Sequence, residues 1–413
     1  MSLIPVEEAY RLLVEDARPL ARTETLPLRD ASGRILAADL ASLRTQPAFD
    51  ASAMDGYAVR ATDLGDEAPF PSLRLVGESA AGHAYDGTLQ PGETIRISTG
   101  APVPAGADAI LIQENADRQD GTVTATAPVV VGQHIRPAGI DFAAGTPLLT
   151  AGTVLTPGAI ALAASGGHPA IPVRSRPRVA ILATGDELVL PGEAIGPSQI
   201  VASNTFGVAA LVREAGGLPL NCGIAPDQEA AIDAQLTQAI ADGADIFVTI
   251  GGASVGDHDL VGKVFAAHGV SLDFWKVAMR PGKPLMAGRL GDMRVVGLPG
   301  NPASSMVAAT LFLAPLVRRL AGRPARPLYR RGVLAASMPD NGDRTDFVRA
   351  RIEPDGAGPP RIVPLSRQDS SLLSIYAAAD ALLVRPVRAA PAEAGDPCDY
   401  VPLTALEPLA EHN

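Results

Sequence analysis

The chain has 413 residues, enough for about three domains with sizeable cores. It carries 34 basic against 45 acidic residues, and the net charge of −11 gives no general attraction for nucleic acid or anionic lipid. Aromatic residues make up only 4%, which leaves no stacking platform for single-stranded nucleic acid, and the apolar runs fall short of the ~18–20 residues that a membrane span needs, so neither nucleic acid nor a membrane is an expected partner.

The opening segment, residues 1–13, lacks a basic stretch followed by an apolar one. It reads as a short amphipathic helix kept on the mature protein, with secretion not expected. From about residue 26 to 175, short β-like runs such as Thr94–Ser98 and Ala109–Gln113 alternate with Gly/Pro turns. Within this half, Pro157 and Gly158 open an apolar helix that Gly166 and Gly167 close.

Punctuation at Ser175–Arg178 changes the pattern. Continuous apolar strands (RVAILAT, ADIFVTI, RVVGLPG) and a strand over Leu218–Ala225 then alternate with helices over Asn204–Glu214, Gln228–Ala241, Leu260–His268 and Pro302–Leu320. Such repeats specify α/β architecture with a doubly wound parallel sheet. From about Arg326, alternation with Pro and Gly breaks predicts a β-barrel of roughly 80 residues. Cys222 and Cys398 fall in different domains without metal-ligand spacing and read as reduced thiols of a cytoplasmic protein.

Four loops follow apolar strands: residues 184–188, 225–227, 251–259 and 298–305. A parallel sheet brings them to one edge, where ligands bind. Gly251, Gly252 and Gly256 let backbone N–H groups approach a phosphate, and Pro299-Gly300-Asn301-Pro302 turns directly into a helix N-terminus. Each loop also has a plainer reading, Asp227 as a helix N-cap, Gly251 and Gly252 as a strand-end turn, and Pro299–Pro302 as a helix-starting turn. Together, however, Asp186, Glu187, Asp227, Asp257 and Asp259 crowd one rim. Two carboxylates ~4 Å apart repel by roughly 4 kcal/mol at an effective dielectric of 20, so a cation is expected, and oxygen ligands beside phosphate suit Mg²⁺. Lys276, Arg280 and Lys283 supply three cations for an oxyanion such as molybdate or phosphate, unless they form a solvated loop.

In the first half, Asp50 and Asp55 flank small residues ending in an Asp-Gly turn, Thr99-Gly100 follows a short strand, and Asp141 stands in GIDF. The six histidines have no partner at metal-ligand spacing, and Ser98, Ser254 and Ser304 lack a GxSxG context, so neither a histidine metal site nor a hydrolase triad is expected.

Seven segments in this order, FDASAMDGYA, ISTGAPVPAGADAI, ATGDEL, SNTF, GGASVGDHD, RPGKP and LPGNPAS, resemble the MoeA family of molybdopterin molybdenumtransferases, whose eukaryotic relatives include the E domain of gephyrin. The resemblance implies a homodimer of four-domain subunits. Its bounds here are 1–40 with 137–175 (extended domain I), 41–136 (inserted β-rich domain II), 176–324 (α/β molybdopterin-binding domain III) and 325–413 (β-barrel domain IV). It also implies insertion of molybdate into adenylylated molybdopterin, with Mg²⁺ and release of AMP, and a related adenylyltransferase as upstream partner. The implied catalytic set is Asp55, Thr99, Asp141, Glu187, Asp227, Asp259, Lys276, Arg280 and Lys283. Thr184, Gly185, Asp186, Gly251, Gly252, Ser254, Pro299, Gly300, Asn301 and Pro302 are implied for the pterin nucleotide, and Glu187, Asp227 and Asp259 for the metal.

The chain departs from the family pattern at three places. Ala51 stands where Asn is usual, Arg280 where Lys is usual, and Ser371 where some relatives carry a basic residue. An adenylyltransferase and a non-enzymatic dimeric scaffold are the alternative readings. The first is disfavoured by the N-terminal half and the barrel, which such single-domain enzymes lack.

Overall fold

The computed structural model describes residues 3–252, 260–324, 329–354 and 358–403. The chain divides into two compact units, one of residues Thr25–Val173, the other of Met1–Glu24 with Arg174–Asn413.

The first unit is built on a six-stranded sheet, in spatial order Ala109–Ile112, Gly56–Val59, Glu93–Ile97, Ser72–Ser79, Thr122–Ala125 and Ala116–Gln119. Both of its faces are covered, Tyr57, Leu73, Leu111 and Val123 packing on one side and Ala58, Ile95, Ile97 and Ile110 on the other. All four residues of Gly56–Val59 are therefore buried, and a Cβ at Gly56 would lie 2.1 Å from the Leu111 carbonyl oxygen, so only glycine fits there. The predicted helix forms over Pro157–Ser165. Thr156 caps it by accepting from Ala159 N–H at 3.2 Å, and Gly166 ends it.

In the second unit six strands form one sheet: β1 (Arg178–Thr184), β2 (Leu218–Ala225), β3 (Ile246–Ile250), β4 (Ser271–Phe274), β5 (Met286–Leu290) and β6 (Met293–Leu298), in spatial order β2-β1-β3-β6-β5-β4. The expectation of a parallel sheet holds for the first four. β5 runs antiparallel to β6 and β4 antiparallel to β5. A reading based on apolar runs places no strand between the Leu260–His268 helix and RVVGLPG and so misses this edge, where Gly291 and Asp292 turn β5 straight back into β6 as a hairpin.

Helices cover both faces of the sheet: α1 (Asn204–Ala215), α2 (Glu229–Ala241), α3 (Leu260–Ala267) and α4 (Pro302–Leu320). Leu182, Phe247 and Val295 pack against Ile232, Leu236 and Phe265; Val179, Val248 and Val296 pack against Val212 and Phe312 on the opposite side. The helix α1 closes at Gly216, whose φ of 98° is left-handed, as the Gly216-Gly217 signal predicts.

The 19 residues of α4 have a mean hydropathy of 1.3, enough by length and composition to match a membrane span although no unbroken apolar run is that long. The helix is 72% buried inside the protein, which accounts for its apolar character. Pro315 has no N–H, and its ring would meet the carbonyl four residues back; the helix relieves this by widening into a π turn over Ala309–Leu313.

The C-terminal strands close into the predicted barrel: Arg330–Leu334, Thr345–Glu353, Arg361–Pro364, Ala381–Arg385 and Pro397–Pro402. Met279–Arg280 adds a sixth, parallel strand to it. Phe347, Leu382, Val384 and Val401 join the core beneath α4, so barrel and α/β sheet share one interior.

Candidate functional site

The register of the parallel strands decides where the predicted loops meet. Thr184 pairs with Ala225, Ala183 with Ile250, and Ile250 with Leu298, so all four strands end at one level and their loops emerge side by side. They line a cavity of about 860 Å³ together with Asn204, Lys276, Lys283 and Ser304. Thr184, Gly185, Glu187, Asp227, Gly251, Gly252, Pro299, Gly300, Asn301 and Pro302 all border it. Ser254, Gly256, Asp257 and Asp259 lie outside the described residues.

Close packing explains the glycines. Gly251 and Gly252 have φ of 92° and 63°, and a Cβ on either would come within 2.7 Å of Thr184. A Cβ on Gly185 would sit 2.4 Å from Glu187 Oε2, so glycine leaves the space into which the Glu187 carboxylate folds.

Among the carboxylates, Asp186 Oδ1 accepts from the backbone N–H of Asp227 at 3.1 Å and so anchors the loop that carries Asp227. Asp227 is not the cap of α2. The N-cap position is Gln228, and no side chain caps there, which removes the plainer reading of Asp227. Its carboxyl is held above the ordinary range by partial burial and then by the charges of Asp186 and Glu187. Lys276 and Lys283 line the same cavity, neither ammonium paired with a carboxylate among the described residues. Arg280 is placed differently. It is absent from the cavity wall, and its guanidinium is paired with Asp346 of the barrel at 2.5 Å.

The turn at residues 299–302 leads into α4 as expected, with Pro302 in its first turn. Two further contacts fix it: Asn204 Nδ2 donates to Gly300 O at 2.8 Å, and Asn301 Nδ2 donates to Ser370 Oγ of a barrel loop at 3.1 Å. Asn204 and Ser370 were not among the residues singled out from sequence. The SNTF segment held the signal for Asn204; nothing in sequence brings Ser370 to the turn. Ser371 donates both N–H and O–H to Asp369 Oδ1 and shapes that loop from within. Thr184 Oγ1 and Asn204 Oδ1 are buried and lack a hydrogen-bond partner among the described residues, which leaves two polar atoms at the cavity for a ligand or water to satisfy.

The residues predicted in the first half gather separately, within the first unit. Asp55 Oδ1 accepts from Thr99 N–H at 2.7 Å and from Thr99 O–H at 3.0 Å, and these bonds hold its carboxyl below the ordinary range. The segments around them are tied by Gly100 N–H to Ser52 O at 2.8 Å and by Ala138 N–H to Asp50 Oδ1 at 2.8 Å. Asp50 thus acts in the turn and joins it to the segment that ends at Asp141. Asp141 donates its N–H to Gln46 O at 3.2 Å and is exposed. Ala51, where the family usually has Asn, is buried and pairs through its backbone with Arg136.

Comparison with known proteins bears on the whole chain. Residues 4–167 match the MoeA N-terminal region (domain I and II), residues 180–319 a probable molybdopterin binding domain, and residues 331–403 the MoeA C-terminal region (domain IV). Molybdopterin molybdenumtransferase 2 of Mycobacterium tuberculosis is 40% identical over 359 residues, covering 84% of this chain and 87% of that protein. Molybdopterin molybdenumtransferase of Haemophilus influenzae is 32% identical over 407 residues, covering 98% of this chain and 100% of that one. A crystal structure of the molybdopterin biosynthesis MoeA protein of Pyrococcus horikoshii superposes with a TM-score of 0.78 at 29% identity, covering 97% of this chain and 100% of that one. With its cavity at the ends of four parallel strands, its barrel and its N-terminal half all matched, the chain belongs to the MoeA family of molybdopterin molybdenumtransferases.

Proposed function

We propose that this chain inserts molybdate into adenylylated molybdopterin and releases AMP, forming the molybdenum cofactor. The observation that carries this reading is the cavity itself, lined by Lys276, Lys283, Glu187, Asp227 and the glycines of two turns. Lys276 and Lys283 offer ammonium donors to a tetrahedral dianion, and charge-assisted bonds to it are about twice as strong as neutral ones. The backbone at Gly251, Gly252 and residues 299–302 takes the phosphates of the pterin nucleotide.

Glu187 and Asp227 would hold Mg²⁺. Partial burial and then the charges of Asp186 and Glu187 raise the Asp227 carboxyl; a divalent cation would relieve the repulsion, and Mg²⁺ needs only one or two carboxylates when substrate phosphates complete its shell. Held there, the ion would supply charge neutralisation to the phosphoanhydride. Among the described residues no group of three or more His, Cys, Asp or Glu could hold a metal ion, and Asp259, the third carboxylate expected for the metal, lies outside them.

We read the chain as a cytoplasmic homodimer of four domains with the bounds given above. Asp55, Thr99 and Asp141 then serve the cavity from a partner subunit, and a molybdopterin adenylyltransferase supplies the substrate. The test is to mix the protein with adenylylated molybdopterin, Mg²⁺ and molybdate and to follow AMP and pterin-bound molybdenum together. Release of both in step, dependent on molybdate, is expected. Pterin binding without AMP release, or consumption of ATP instead, would overturn the reading in favour of a scaffold or an adenylyltransferase.

A further inference from the structure

Arg280 lies at the tip of the loop that carries both cavity lysines. That loop is closed at its base, where Val277 N–H donates to Lys283 O at 3.1 Å, and it is strapped by the N-terminus through Ile4 N–H to Lys276 O at 3.1 Å and Ala278 N–H to Ile4 O at 2.8 Å. Its tip belongs to the barrel. Met279 pairs with Thr345 and Arg280 with Asp346 in parallel register, and Thr345 N–H donates to Ala278 O at 2.9 Å. The Arg280 side chain is 55% exposed but does not line the cavity, whereas Asp346 is only 17% exposed and receives the guanidinium directly. Asp346 thus stands at the seam where the lysine loop is stitched to the barrel.

We propose that Asp346 is a positioning residue. By holding Arg280 it sets the Lys276–Lys283 loop, and so fixes molybdate affinity without touching substrate. This deepens the function proposed above and rests on it. A guanidinium opposite a carboxylate in paired strands gives a charge-assisted bond of defined direction. The Lys usual in the family at position 280 would offer a compact ammonium, and Arg adds a planar fork that resists rotation. If Arg280 instead served the oxyanion, Asp346 would compete with substrate for it, and removing the carboxylate would help.

Those two roles predict opposite results. Asp346→Asn, Arg280→Met and the double variant are assayed for AMP release at varied molybdate. If Asp346 positions the loop, each single variant raises the molybdate concentration for half-maximal rate by roughly tenfold, and Asp346→Asn leaves kcat within about twofold. The double variant is then no worse than either single one, as expected for two groups acting through one contact. Asp346→Glu recovers most of the loss and separates loss of the contact from loss of the fold. The proposal fails if Asp346→Asn stays within about twofold of the parent or tightens molybdate, if the single effects multiply, or if Asp346→Glu is as impaired as Asp346→Asn. Should the unaltered protein release no AMP at all, the proposed function fails, and this inference with it.

Discussion

Gly251→Ala tests the packing that forms the cavity floor. Gly251 has φ of 92°, where an L side chain costs roughly 1–2 kcal/mol. The new Cβ would also lie 2.7 Å from the Thr184 carbonyl oxygen, well inside normal contact, and both partners are backbone, so neither can swing away. Relieving such overpacking costs about 1–3 kcal/mol, for a total of roughly 2–5 kcal/mol. Gly223→Ala is the control. Its φ of 76° imposes a comparable strain, but nothing lies within 4 Å of its Cβ. The difference between the two variants isolates the contact at about 1–3 kcal/mol, or roughly 2–12 °C in Tm for a unit of this size. The single tryptophan, Trp275, packs against the α/β core and reports its unfolding by fluorescence. Because Thr184 borders the cavity, kcat/KM should fall in Gly251→Ala and not in Gly223→Ala. Equal melting temperatures and equal turnover for the two would show that the approach of Gly251 to Thr184 is unimportant.

Further predictions concern the carboxylates. A carboxyl whose folded pKa is raised destabilises the fold once charged, so stability falls as pH rises from the ordinary Asp range through the raised value; Asp227→Asn should therefore melt higher than the parent at pH 7 and equally at pH 3.5, by differential scanning fluorimetry. Asp55 shifts the opposite way and stays ionised longer, so on acidification of the free protein Asp227 is protonated before Asp55. Asp55→Ala should lower AMP release by roughly 10²-fold, as loss of a positioned catalytic group does, and a few-fold effect would remove Asp55 from the site. Asp245, whose carboxylate takes two bonds from Arg22 and one from Arg178 N–H, should cost about 2–3 kcal/mol on change to Ala against about 1 kcal/mol for Arg22→Ala, measured by urea unfolding; equal losses would argue against the backbone contact.

Much of this protein is written in local sequence. Unbroken apolar runs such as residues 178–184 and 244–250 specify strands buried on both faces, because only residues covered from two sides dispense with polar alternation. Gly216, Pro157 and Gly166 mark helix ends because their backbone preferences act at once, without tertiary help. The loops of the cavity are legible for the same reason, since parallel strands of matched length deliver their ends to one edge. Tertiary structure decided the rest. The reversal at Gly291-Asp292, the π turn inside the buried Pro302–Leu320 helix and the division of labour among three cations all depend on what packs nearby. Lys276, Arg280 and Lys283 look alike in sequence. Only the strand register that sets Arg280 against Asp346 separates one from the other two, and the approach of Ser370 to Asn301 likewise rests on contacts between residues far apart in the chain, which no local pattern encodes.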